Sequence, residues 1–277
     1  MQLVVYQARK RSDALLTLLA ARLVAEAQWM EPRDIVRSIY GLGKFSFTED
    51  KGVVLGVLSA QARRRIYNYS MDDLSQILAS LNRVGIKNQP LVAAVVGRVS
   101  EDSVRSMSSE ALVNLMSGFS RSGVRSTKKQ DPWRILGDEL AARVHSSPGS
   151  IRRHDMLSAL VSYAYPHINV AHEDLFSRIS FSLLVQGESL SGEEVCRYVL
   201  ACARTQYRNL EALAFCAQSL RSREGWVVEI SNEKLLKLCT GLDKLGVEMK
   251  EIDQELVKRG LSVPARNSVT WFKEKFR

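Results

Sequence analysis

No apolar run in this sequence approaches the ~20 residues that a helix needs to span a bilayer. The longest candidate, residues 15–24, is interrupted by Arg22, so no membrane partner is expected. Cysteine is scarce: Cys196, Cys202, Cys216 and Cys239 are the only four, and none form a C-x-x-C pair. That spacing argues against a zinc site and fits reduced, buried thiols acting as small hydrophobes. Proline is sparse for the length, with six residues, and sixteen glycines are unremarkable, which leaves little room for long irregular tracts. Catalytic signatures are missing as well. The histidines His145, His154, His167 and His172 form no H-E-x-x-H and pair with no cysteine at a usable spacing. No glycine-rich phosphate loop is present. No catalytic residue, metal, cofactor or small-molecule substrate is therefore expected.

What the chain does have is apolar content of 45%, enough for a continuous core, and a net charge of +9 that is unevenly spread. Residues 1–138 carry 20 Lys/Arg against 13 Asp/Glu, and residues 139–277 carry 19 against 17. A basic N-terminal half points to a polyanionic partner, most simply RNA, or to a basic surface kept soluble in a basic compartment. Arg9, Lys10 and Arg11 precede the first acidic residue, Asp13, as in an organellar transit segment. Leu15, Leu16, Leu18, Leu19, Leu23 and Val24 also read as one apolar helix face, suiting the second helix of an incomplete first repeat.

Aligning the chain on itself uncovers a repeat. SMDDLSQILASLNRVG (70–85) recurs as SSEALVNLMSGFSRSG (108–123) and SNEKLLKLCTGLDKLG (231–246). Weaker copies begin at Glu31, Arg152 and Ser191. Serine is a natural N-cap for each strong copy, with Asp73 placed for a capping box, and the closing glycine suits a helix C-terminus. The leading anchors are Ile35, Leu74, Leu112, Met156, Val195 and Leu235, at intervals of 39, 38, 44, 39 and 40. The long interval holds the polar insertion STKKQDP (126–132), which maps to a turn between helices. Four residues on stand Ile39, Leu78, Met116, Leu160, Val199 and Cys239; seven on stand Leu42, Leu81, Phe119, Tyr163, Cys202 and Leu242. This i, i+4, i+7 stripe is the buried face of a first helix. Second helices are expected over 52–66, 89–104, 132–146, 171–186, 207–222 and 248–259. The fold class is all-α: an α-solenoid of about six two-helix repeats, roughly 38–40 residues each. Residues 30–260 make the repeat domain, 1–29 an N-terminal helix serving as partial repeat or cap, and 261–277 a tail. Trp271, Phe272 and Phe276 in that tail suit capping the last repeat or docking on a partner.

The unburied columns carry the functional signal. Two residues after each anchor stand Arg37, Gln76, Asn114, Ser158, Arg197 and Lys237, all polar. Nine residues after stand Lys44, Arg83, Arg121, Tyr165, Arg204 and Lys244, of which only Tyr165 is not basic. These columns are two helical turns apart on one face. Six residues after each anchor stand Gly41, Ser80, Gly118, Ser162, Ala201 and Gly241, all small. Single-stranded RNA laid along such a trench would set phosphates on the cations and base edges near the polar column, the arrangement used by repeat proteins that read one base at a time. Two plainer explanations compete: cations near a helix C-terminus complement its dipole, and small residues let helices approach closely. Further basic clusters (Arg63, Arg64 and Arg65; Lys128 and Lys129; Arg152 and Arg153) suit either a solvated surface or phosphate contact.

The repeated phrase, with an S/P-x-x-D/E-L start, L-x-x-x-L-x-x-L centre and K/R-x-G close, resembles the heptatricopeptide and octotricopeptide helical repeats of organellar RNA-metabolism proteins. The resemblance covers about residues 30–260. It implies a mitochondrial or plastid setting and work in transcript processing, editing or ribosome assembly. Those families often end in a RAP-type domain, which nothing here matches, so the resemblance implies a subunit of a larger ribonucleoprotein, such as a mitochondrial editing complex or mitoribosome, with other protein subunits as partners. The competing reading is a HEAT- or armadillo-like protein scaffold or transport adaptor without direct RNA contact. Armadillo adaptors carry Asn and Trp ladders, and here only Asn114 fits.

Overall fold

Serine ahead of an amphipathic run is the strongest local signal in this chain, and helices start there. The structure is a computed structural model that describes residues 13–47, 52–127, 130–168, 171–222 and 230–262. In it the Asp73 N–H donates to Ser70 Oγ at 3.1 Å, while the Ser70 N–H donates back to the Asp73 carboxylate. This reciprocal cap satisfies two donors that the helix itself cannot. Ser191 and Glu194 form the same box, and Ser108 and Ser231 accept from the Ala111 and Lys234 N–H groups. Gly85, Gly123 and Gly246 follow their helices in the left-handed conformation.

Fourteen α-helices and one 3-10 turn, Ile66–Asn68, form among the described residues, with no strand. In chain order they are α1 (Asp13–Glu26), α2 (Pro32–Lys44), α3 (Val53–Arg64), α4 (Met71–Arg83), α5 (Gln89–Val96), α6 (Glu101–Arg105) and α7 (Ser109–Ser122). Then follow α8 (Pro132–Ser146), α9 (Arg153–Tyr163), α10 (Glu173–Gln186), α11 (Gly192–Thr205), α12 (Leu210–Ser222), α13 (Asn232–Lys244) and α14 (Lys250–Lys258). The chain divides into two units, Met1–Glu139 and Leu140–Arg277, the division falling inside α8.

In the first unit α2, α4 and α7 lie side by side, and α1, α3 and α5 form a second row, with α2 against α3 and α5 against α7. α1 packs on α3 as the second helix of an incomplete pair would. In the second unit α9, α11 and α13 form one row and α10, α12 and α14 the other, each first helix packed on the second helix that follows it. Every residue of the i, i+4, i+7 stripe is buried, from Ile35, Ile39 and Leu42 through to Leu235, Cys239 and Leu242. The stripe therefore belongs to the core, where burying it favours the folded chain. The insertion after α7 connects α7 to α8 as expected; there Trp133 Nε1 donates to the Val124 carbonyl at 3.0 Å.

The second helix expected over 89–104 is in fact two, α5 and α6. The Ser100 and Ser103 side chains exchange hydrogen bonds with each other's backbone N–H in a third capping box, which starts a new helix after the first has ended. At this break Arg98 folds back, and its Nη1 donates to the Ile66 and Tyr69 carbonyls, both at 2.6 Å. Arg65 donates likewise to Met30 O at 2.8 Å, and Arg259 to Ile230 O at 2.9 Å. An arginine thus closes off carbonyls in the loop one pair earlier. Arg98→Ala is expected to cost about 1–3 kcal/mol, because two carbonyls lose a charged donor. Arg105→Ala, which breaks exposed ion pairs to Glu101 and Asp102, is expected to cost about 0–1 kcal/mol. Urea melts of the two variants compare these directly, and equal losses would dismiss the arginine clasp.

All four cysteines are buried free thiols in the second unit. Burial pushes Cys196 up to about 12, with Glu193 adding to the rise and Lys234 opposing it. Burial also lifts Cys202 to about 12, against a lowering hydrogen bond with Tyr198, and raises Cys216 further. A thiol whose folded pKa is raised contributes stability that is whole below its unfolded value, near 9, and is lost as pH climbs towards its folded value. Between pH ~9 and ~12 the unfolded chain binds fewer protons, so each thiol should add about −1.4 kcal/mol per pH unit to the slope of stability. Denaturation midpoints measured from pH 7 to 11 should be flat at first and then fall, less steeply for Cys196→Ala/Cys202→Ala. Identical slopes in the variant would discard this account.

Residues Arg9, Lys10 and Arg11, Lys128 and Lys129, and the tail aromatics Trp271, Phe272 and Phe276 lie outside the described residues.

Candidate nucleic-acid interface

The column of small residues is not an open floor. Ser80, Gly118, Ser162, Ala201 and Gly241 are all buried, and only Gly41 is partly exposed. A methyl group placed on Gly118 would stand 3.2 Å from Leu78 Cβ and 3.6 Å from Asn82 Nδ2 across the α4–α7 contact. On Gly241 it would stand 3.3 Å from Ala203 Cβ and Leu200 Cδ2 on α11, and on Gly43 it would stand 3.0 Å from Ser80 Cβ and carbonyl O. All three helix pairs bring the sixth position after one anchor against the eighth after the preceding anchor, and Gly118 and Gly241 also meet the fourth- and fifth-position residues Leu78 and Leu200. The small residues therefore set the spacing and register between neighbouring first helices. Of the two explanations offered by sequence, close approach is the correct one, and the trench floor expected from this column is overturned. The surface between the polar and cationic columns belongs instead to the fifth position: Tyr40, Ala79, Ser117, Val161 and Leu200, half-buried, and the exposed Thr240.

Constant register has a consequence for the charges. In the first unit Lys44, Arg83 and Arg121 each lie in the last turn of their helix and each directly follow an eighth-position residue, so they succeed one another along the row of α2, α4 and α7. All three are exposed, as are Arg204 and Lys244 in the second unit. Lys44 Nζ lies 5.5 Å from the centre of the Tyr40 ring. Arg83, Arg121, Arg204 and Lys244 make no ion pair among the described residues. Elsewhere basic side chains are commonly engaged: Arg22 with Glu26, Arg134 with Asp138, Arg178 with Asp174, Arg153 with Glu188 and Glu194. All five cations also occupy the last turn of their helices, where the dipole favours them.

The polar column divides between the units. Arg37, Gln76 and Asn114 in the first are half-buried and reach the surface. In the second, Arg197 pairs with Glu193 at 3.5 Å and Lys237 pairs with Glu233. Glu193 also receives Lys234 at 2.6 Å, which ties α11 to α13. The hydrogen bond and charge of Lys237 hold the Glu233 carboxyl below the usual carboxylate range. Arg197 and Lys237 thus already have partners that the first unit's polar column lacks, and the sequence carries that signal as Glu at i−4.

One feature of the second unit was not visible in the columns. The turn after α11 brings Gln206 and Arg208 beside Arg204 and Lys244 in a cleft of about 560 Å³, also lined by Ala203 and Leu245. An adjoining cleft of about 720 Å³ shares Arg204, Gln206 and Arg208 and extends to Ser177, Tyr207 and Glu173. Gln206 holds a left-handed φ of 58°, unusual for a side chain with a Cβ, and this sets its amide at the cleft. Three cations converging on one concavity suit a phosphate group.

Among the described residues no cluster of His, Cys, Asp and Glu could hold a metal ion, and no helix is long and apolar enough to cross a membrane. No curated protein matches the chain. One protein-family model does, over residues 3–250, which is most of its length and includes every residue of both columns; the chain belongs to the RNA-editing substrate-binding complex 6 protein family.

Proposed function

We propose that the chain is a non-catalytic, RNA-associated subunit of an RNA-editing complex in mitochondria, built as a helical-repeat solenoid of about six two-helix units. Its repeat domain is residues 30–260, between an N-terminal helix (1–29) and a tail (261–277). It works among other protein subunits, without cofactor, small-molecule substrate or membrane contact. The cationic residues Lys44, Arg83, Arg121, Arg204 and Lys244 take phosphates of a single strand. Arg37, Gln76, Asn114, Arg197 and Lys237 run parallel, and in the first unit they stand where base edges would pass.

The observation that carries this reading is the contrast in charge pairing. Arg83, Arg121, Arg204 and Lys244 are exposed and have no carboxylate partner among the described residues, in a chain whose arginines are otherwise mostly engaged. Family membership and the +9 net charge support it. The test is binding of the purified chain to labelled single-stranded RNA across salt. The logarithm of affinity should fall linearly with the logarithm of salt concentration, by about 0.7 in slope for each phosphate contacted. A chain that fails to bind RNA even at low salt would instead be a scaffold whose RNA lies on neighbouring subunits.

A further inference from the structure

The corner between α3 and α4 gathers four exposed side chains of one kind of chemistry: Arg63, Arg64, Tyr67 and Asn68. Tyr67 is 83% exposed, far more than packing requires of a ring that size. It is nonetheless held. The Arg98 guanidinium sits 5.6 Å from its ring centre, and Arg98 is itself fixed by its bonds to Ile66 O and Tyr69 O. A cation resting on the ring leaves the opposite side of an exposed, positioned aromatic available. The neighbouring Ile66 and Tyr69 are buried, so it is Tyr67 that the turn presents to solvent. Nearby carboxylates are already used: Asp73 caps α4, and Asp72 accepts from the Ser108 N–H. Arg63 and Arg64 have no acidic partner among the described residues.

We propose that this corner is a stacking site for one base of a single-stranded nucleic acid, with Tyr67 as the platform, Arg63 and Arg64 on the flanking phosphates and the Asn68 amide at the base edge. Aromatic stacking with cations alongside is how single strands are gripped without regard to sequence. The site stands at the N-terminal end of α4, whereas the cationic column stands at helix C-termini. It shares its class of ligand with the reading above and none of its residues.

Binding of a short oligouridine and of heparin to the whole chain tests it, with Tyr67→Ala, Tyr67→Phe and Arg83→Glu/Arg121→Glu compared. Loss of one stacked base is expected to weaken oligouridine binding about 5- to 100-fold in Tyr67→Ala, and to leave Tyr67→Phe within about twofold. Heparin, which has charge but no bases, should bind Tyr67→Ala like the parent chain. Unchanged oligouridine affinity in Tyr67→Ala overturns the site even if the double reversal weakens binding. So does an equal loss for heparin, or a Tyr67→Ala variant that keeps RNA while losing a protein partner. The converse, loss in Tyr67→Ala with none in the double reversal, keeps this site and removes the cationic column.

Discussion

Leu112→Ala should lower the stability of the protein by about 2–5 kcal/mol, the cost of removing a large buried side chain and leaving a cavity. Leu112 has no exposed surface. It sits one turn into α7, which packs on both α4 and α5. Neighbouring helices cannot easily close over the gap, because the α4–α7 spacing is already fixed where Gly118 meets Leu78. The upper part of the range is therefore expected. Leu18→Ala, at a site 70% exposed on α1, should change stability by no more than about 0.5 kcal/mol. Chemical denaturation of both variants compares them. A Leu112→Ala loss no larger than the Leu18→Ala loss would mean that the repeated stripe is not the core.

The reason Leu112 can be chosen at all is that the buried face repeats. A period near 39 residues, a serine cap and an i, i+4, i+7 stripe are local signals, and local signals survive in a sequence. Helix ends were legible for the same reason: α8 spans the expected 132–146, and α4 starts directly after Ser70. What could not be read was sidedness. A column of small residues beside an exposed face has the same sequence whether it faces solvent or a neighbour. The sixth position lies one residue from the fifth, about 100° around the helix. Only the packing of Gly118 on Leu78 and Gly241 on Ala203 shows which of the two is the floor. Arg208 and Gln206 escaped because they sit in a turn outside any column. The break between α5 and α6 escaped because two serines three residues apart also occur within helices.

Family membership narrows the ligand class but leaves the contact to be established residue by residue. The first unit, Met1–Glu139, is where the two columns are least encumbered. Gln76 and Asn114 have no charge to neutralise, whereas Arg197 and Lys237 must release Glu193 and Glu233 before reaching a ligand. Sequence preference should therefore reside in the first unit, since only groups reaching base edges specify sequence. Changes at Gln76 or Asn114 should shift the ranking of RNA sequences, while changes at Arg204 or Lys244 should weaken all of them together.

Arg83→Glu/Arg121→Glu should weaken binding of single-stranded RNA by about tenfold per lost contact at low salt. It should also lower the slope of log affinity against log salt by about 1.4, two contacts at about 0.7 each. Both arginines lie exposed in the last turn of adjacent packed helices, α4 and α7. Thermal stability cannot separate the competing explanations. Reversing a charge beside a helix C-terminus costs about 0.3–1 kcal/mol with or without a ligand, so both explanations anticipate the same small loss. The salt slope does separate them, because only a residue that displaces counterions from phosphate alters it. Arg105→Glu serves as the control: it reverses the same charge in the same unit, where Glu101 and Asp102 already occupy the arginine. A loss that follows net charge alone would appear in Arg105→Glu at about half the logarithmic size, one reversal against two. A loss confined to Arg83 and Arg121 locates the strand along α4 and α7. Unchanged affinity and slope in the double variant would assign these arginines to their helix dipoles and leave the strand to other residues, the Tyr67 corner among them.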